Sequence, residues 1–146
     1  LAAEAEQRVK DDEARKLAEA QAQADRALTL SYTTEDDLIR AREQELGVID
    51  SNMATAKLTI ASQEKNLSDL LAHAADFERS KKPVPQNVAD SIANVRAQIE
   101  VQQKTLKERE GAKDSVRLDY EAKLQRWREL TTKSRKESAP AAPAAQ

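Results

Sequence analysis

Phe77-Glu78-Arg79-Ser80-Lys81-Lys82-Pro83-Val84-Pro85-Gln86-Asn87-Val88 is the stretch that decides the fold. Two prolines this close cannot both lie inside a helix, because each removes a backbone donor and crowds the preceding turn. Pro85 suits the first position of a new helix, where the lost donor costs nothing. A helix therefore ends before residues 81–85 and another begins at about Pro85.

Outward from this break, the sequence carries two long apolar stripes with alternating spacings of three and four. Before it run Ile39, Arg42, Leu46, Ile49, Met53, Ala56, Ile60, Gln63, Leu67, Leu70, Ala74 and Phe77. After it run Val88, Ile92, Val95, Ile99, Gln102, Leu106, Arg109, Lys113, Val116, Tyr120, Lys123, Trp127 and Leu130. This is the heptad period of a left-handed coiled coil. The stripes mirror each other about the prolines. Folding there sets Leu70 near Val95, Leu67 near Ile99, Ile60 near Leu106 and Ile39 near Trp127, with Gln63 meeting Gln102. The spacing predicts an all-α fold: a long antiparallel coiled-coil hairpin over 34–132, with an additional N-terminal helix over 1–30.

Charge supports the fold-back. Residues 31–79 carry 10 acids and 5 bases, whereas residues 80–146 carry 9 acids and 14 bases. The arms attract each other, and parallel pairing of two identical arms would repel. Positions flanking the seam predict Asp50–Arg117 and Lys57–Glu110 pairs. Such surface pairs contribute at most ~1 kcal/mol each, so they select a pairing more than they stabilise it.

The rest of the chain is simpler. Residues 31–33 form a turn, and Thr33 with Asp36 resembles a capping box in which Asp replaces the usual Glu. Glu35, Asp36 and Asp37 favour a helix start through the dipole. The first helix has only a thin stripe of Ala14, Leu17, Ala24 and Leu28. Residues 133–146 read as a disordered basic, then Pro/Ala-rich, tail with too few apolar groups to fold.

Composition narrows the function. The chain has 146 residues, 34% charged and 3% aromatic, which suits long helices better than a globular core. Its net charge of −2 argues against nucleic-acid binding, which needs a basic face. It contains no cysteine, so disulfides and thiolate chemistry are excluded. No apolar run approaches the roughly 20 residues of a membrane-spanning helix. The chain starts at Leu1 rather than Met, as a mature form or an excised fragment would. No catalytic, cofactor-binding or metal-binding residues are assigned. His73 is a lone histidine without clustered ligands. Asp11-Asp12 and Asp36-Asp37 read as solvated helix carboxylates, and there is no glycine-rich phosphate loop. Gly47 and Gly111 read as tolerated helix glycines rather than points of close helix approach. The expectation is a protein that is not an enzyme and needs no cofactor.

One cluster stands out as a candidate interaction patch. Tyr32, Leu38, Tyr120, Leu124, Trp127 and Leu130 gather the large apolar side chains at the open end of the hairpin, more than a two-stranded seam can cover. A large apolar patch marks a contact site, so burial by the first helix, by a second copy or by a protein partner is expected. Lys123, Arg126, Arg128, Lys133, Arg135 and Lys136 surround it and are compatible with peripheral contact to anionic lipid. The plainer reading is a solvated helix end whose basic residues complement the dipole.

The runs Ala24-Asp25-Arg26-Ala27-Leu28, Tyr32-Thr33-Thr34-Glu35-Asp36-Asp37-Leu38, Ala41-Arg42-Glu43-Gln44-Glu45-Leu46, Lys82-Pro83-Val84-Pro85 and Trp127-Arg128-Glu129-Leu130 carry a resemblance. Over residues 20–132 the chain resembles uncharacterised Gram-negative envelope coiled-coil proteins. Those have a signal peptide, a short N-terminal domain of unknown function and then a helical hairpin. The resemblance implies a periplasmic or cell-envelope location and carries over no functional residues. Two functions compete: a structural or protein-interaction module (a rigid coiled-coil spacer or self-association element), and a periplasmic holdase-like chaperone arm. The basic tip around Arg79, Lys81 and Lys82 offers little apolar surface to a chaperone's client.

Overall fold

The computed structural model describes residues 1–138 and is all-helical over them. Its elements are α1 (Ala2–Ser31), α2 (Glu35–Arg79) and α3 (Gln86–Ser138). Two compact units divide the chain: Glu43–Arg117, and Leu1–Arg42 together with the described residues from Leu118 on.

The unit over Glu43–Arg117 is the antiparallel pair of α2 and α3. Its buried residues fall on the two stripes: Leu46, Met53, Ala56, Ile60 and Ala74 on α2, and Val88, Val95 and Ile99 on α3. Ile60, Val95 and Ile99 form one cluster, with Leu67, Leu70 and Leu106 packed against it. Full burial of such a side chain contributes roughly 1.5–3 kcal/mol, so a narrow seam is enough to hold two helices together. Arg109, placed on the stripe by its spacing, is exposed.

The stripes are as the spacing predicts, but the register between the arms differs by one helical turn. Gln63 Nε2 donates to Gln98 Oε1 at 3.5 Å, not to Gln102. Gln63 Oε1 is buried and finds no donor among the protein groups. Asp50 pairs with Lys113 at 2.5 Å, while Arg117 turns instead to Asp114 on its own helix. Both cross-arm pairs are centred close to Lys81 rather than on the prolines. A slip of three or four residues keeps the same stripe facing the partner, so apolar periodicity alone does not choose between the two registers.

The turn itself explains the shift. The Lys82 N–H donates to Phe77 O at 2.9 Å and the Lys81 N–H to Glu78 O at 3.0 Å. These are the two bonds of a Schellman cap, with Lys81 in the left-handed conformation at φ 56°. The chain therefore begins to reverse at Lys81, before either proline. Pro85 lies one position ahead of α3, its carbonyl accepting from Val88 and Ala89. A lysine at positive φ costs roughly 1–2 kcal/mol that glycine avoids. Lys81→Gly should therefore raise stability by about 0.5–1 kcal/mol after the glycine's extra unfolded-state entropy is deducted. A urea midpoint that falls would contradict this account of the turn.

Gly47 and Gly111 sit in open helix surface, where an added Cβ would meet nothing within 4 Å. Neither marks a close helix approach. His73 is exposed, its ring edge-on to Phe77 at 5.0 Å.

In the other unit, the connection between α1 and α2 is Tyr32-Thr33-Thr34. The capping box is one residue later than the sequence suggests. Thr34 Oγ1 accepts from the Asp37 N–H at 3.2 Å, and Asp37 Oδ2 accepts from the Thr34 N–H at 3.1 Å. Thr34 rather than Thr33 therefore caps α2. The bond from the Thr34 N–H, with Arg40 nearby, holds the Asp37 carboxyl below its ordinary pKa. At the other end, α3 continues past Thr132 to Ser138, so residues 133–138 are helical rather than disordered. No breaker precedes Pro140, Arg135 and Lys136 complement the helix C-terminus, and Ser138 Oγ donates to Ser134 O. The Pro/Ala-rich remainder of the expected tail, 139–146, lies outside the described residues.

Candidate interaction site at the open end of the hairpin

This site belongs wholly to the unit that holds α1, the start of α2 and the end of α3. Its frame is set by how α1 ends. Tyr32 caps the helix in an extended conformation (φ −128°, ψ 112°), and its N–H donates to Leu28 O. That geometry leaves the Tyr32 carbonyl free of the helix, and it accepts the Trp127 indole N–H at 2.9 Å. A half-buried indole keeps its polar edge satisfied in this way.

Arg126, one residue before Trp127, grips α1. Its Nε donates to Asp25 Oδ1 at 2.9 Å and its Nη2 to Asp25 Oδ2 at 2.7 Å. This is the bidentate fork that a planar guanidinium makes with a carboxylate. A third arm, Nη1, reaches Glu129 Oε2 at 3.1 Å. Asp25 also accepts from Gln21 Nε2 at 2.9 Å. The Arg126 bonds hold the Asp25 carboxyl below its ordinary range, and the Asp25 and Glu129 partners push the Arg126 pKa up. Beside it Arg128 donates to Glu35 in the first turn of α2.

The six apolar residues expected here are all at least partly covered. Leu38 is 1% exposed and Tyr120 is buried, while Tyr32, Leu124, Trp127 and Leu130 are half-buried. Lys123 Nζ lies 4.7 Å from the centre of the Tyr120 ring, a cation–π contact. An open groove of about 480 Å³ runs alongside, with Ala24, Leu28 and Tyr32 on one side and Ala122 and Arg126 on the other.

The six basic residues read as a lipid-facing group divide in two. Lys123, Arg126 and Arg128 are engaged with Tyr120, Asp25 and Glu35. Lys133, Arg135 and Lys136 are exposed along the last turns of α3. Sequence reading missed Asp25 and Glu35 as partners, because 101 and 93 residues separate them from their arginines. The available hint was their sign: acids on α1 and early α2 facing the most basic segment of the chain.

Among the described residues no group of three or more His, Cys, Asp or Glu side chains could hold a metal ion. No helix over them is long and apolar enough to cross a membrane. The fold defines the class of protein: a helical hairpin with an added N-terminal helix. Comparison with protein-family models, with curated proteins and with solved structures finds no match.

Proposed function

We propose that this chain is a non-catalytic structural or protein-interaction module, a coiled-coil spacer or self-association element. The observation that carries this reading is the use of burial in the Glu43–Arg117 unit, where every buried side chain is apolar and lies on a helix-pairing stripe. Side chains arranged this way fix one helix against another and leave an outer face of charge. The exposed apolar residues of that unit do not build a gripping surface. Val48, Leu58 and Leu71 on α2 are separated by 10 and 13 residues, which at about 100° per residue points them in different directions, and Val101 adds one exposed apolar side chain on α3. Singly exposed apolar residues are ordinary surface.

The periplasm or cell envelope is the proposed location, supported by the sequence resemblance. Sedimentation equilibrium over a range of concentrations separates the two forms of the proposal. A constant 16.2 kDa indicates a spacer, and concentration-dependent multiples of that mass indicate self-association. An equimolar amount of the chain should leave the light scattering of a heat-unfolded client protein unchanged. Strong suppression of that scattering would overturn the proposal in favour of a periplasmic holdase-like chaperone arm.

A further inference from the structure

α1 is long but thinly attached. None of its 30 residues is buried. Asp25 and Leu28 alone reach even partial cover, and Val9, Leu17 and Leu30 are 56%, 72% and 83% exposed. Packed helices normally interdigitate without voids. The groove beside Ala24, Leu28 and Ala122 is open to solvent, so this contact encloses little apolar surface. Pairs along its own surface, Gln7 to Asp11, Arg15 to Asp12 and Glu19, and Gln21 to Asp25, each add only a little, so the helix frays once it is undocked. Little apolar area holds it down, so the directional part of its attachment is the Arg126–Asp25 fork. The Tyr32–Trp127 bond lies beyond the end of α1, on the connection, and does not require α1 itself to stay seated.

We propose that the C-terminal third of α1 is a releasable strap, clipped onto α3 by the Asp25–Arg126 pair, that opens without unfolding the α2–α3 seam. The clip is part-exposed, with side-chain exposures of 41% for Arg126 and 19% for Asp25. Salt therefore weakens it, because the screening length falls from roughly 30 Å at 0.01 M to roughly 3 Å at 1 M. The seam is apolar and responds in the opposite sense or not at all. Opening the clip leaves Arg126 to its Glu129 partner on α3 and uncovers the α3 side of the groove, which turns a covered end into an accessible one.

Amide hydrogen exchange on the full chain tests this. Raising salt from about 0.01 M to about 1 M should speed exchange over residues 22–31 roughly threefold to fivefold and leave residues 53–74 unchanged. Arg126→Gln should give the fast rate already at low salt. The double charge reversal Asp25→Arg with Arg126→Asp should restore the slow rate, showing that the variant fails through the lost pair and not through misfolding. Exchange of residues 22–31 in step with the seam at both salt concentrations would overturn the proposal, because α1 would then open only with the whole fold. Failure of the reversed pair to slow exchange would overturn the clip.

Discussion

Replacing Ile60 by Asp should lower stability by about 4 kcal/mol or more, whereas Leu58→Asp, two residues away, should cost well under 1 kcal/mol. Ile60 is 9% exposed and sits in one cluster with Val95 and Ile99. The substitution forfeits roughly 1.5–3 kcal/mol of apolar burial. It also places a carboxylate in the apolar seam, in the cluster that Ile60 forms with Val95 and Ile99. Burial of an unpaired charge is the larger penalty, and the group will shift its pKa or open the seam rather than stay charged and dry. A domain of ordinary stability has only about 5–15 kcal/mol to lose, so the Ile60 variant should be close to unfolding at room temperature. Leu58 is 74% exposed and its aspartate stays in water. Thr59 is half-buried, with its hydroxyl bonded to Thr55 O, and makes a less clean control. Urea midpoints measure both variants. Equal shifts would show that the seam does not run through Ile60.

The seam was legible because a two-helix pair demands only a period, and a period is written in one dimension. Met53, Ala56, Ile60, Val95 and Ile99 are buried where the spacing places them. What periodicity could not supply was the phase between the arms. Gln98 instead of Gln102, and Lys113 instead of Arg117, are both four residues earlier on α3. That offset traces to Lys81, whose left-handed conformation starts the reversal before the prolines that draw the eye. Lysine carries no sequence signal for positive φ as glycine would. The capping box moved by one residue for a related reason: Thr33 and Thr34 are both competent caps with an aspartate three positions on, and only the bond to Asp37 decides between them. The apolar residues of the candidate site were likewise visible as a surplus over what two helices can cover. Its polar half was not, since the Asp25–Arg126 fork joins residues that no local pattern relates.

Leu38 provides the sharpest test of how that end is built. The three–four spacing assigns the seam to Ile39, yet Leu38 is 1% exposed and is the most deeply buried large side chain among the described residues, while Ile39 is half-buried. A residue beside a two-stranded seam is normally flanked by water. Its complete burial means that a third surface closes over it within the same unit, which contains α1, the Tyr32 connection and the end of α3. The Thr34–Asp37 box sets the phase of the first turn and so presents Leu38 to that side. Leu38→Ala should therefore cost about 2–5 kcal/mol, the range for a leucine truncated in a well-packed core that cannot collapse onto the gap. Ile39→Ala removes similar bulk from a half-covered position and should cost clearly less. Thermal and urea unfolding of the two variants rank them directly. If Ile39→Ala proves the more damaging, the end of the hairpin is a simple two-stranded seam and its closure by a third element is wrong. If Leu38→Ala dominates, the open end of the pair is a small core in its own right, and the fork on Arg126 lies at its rim.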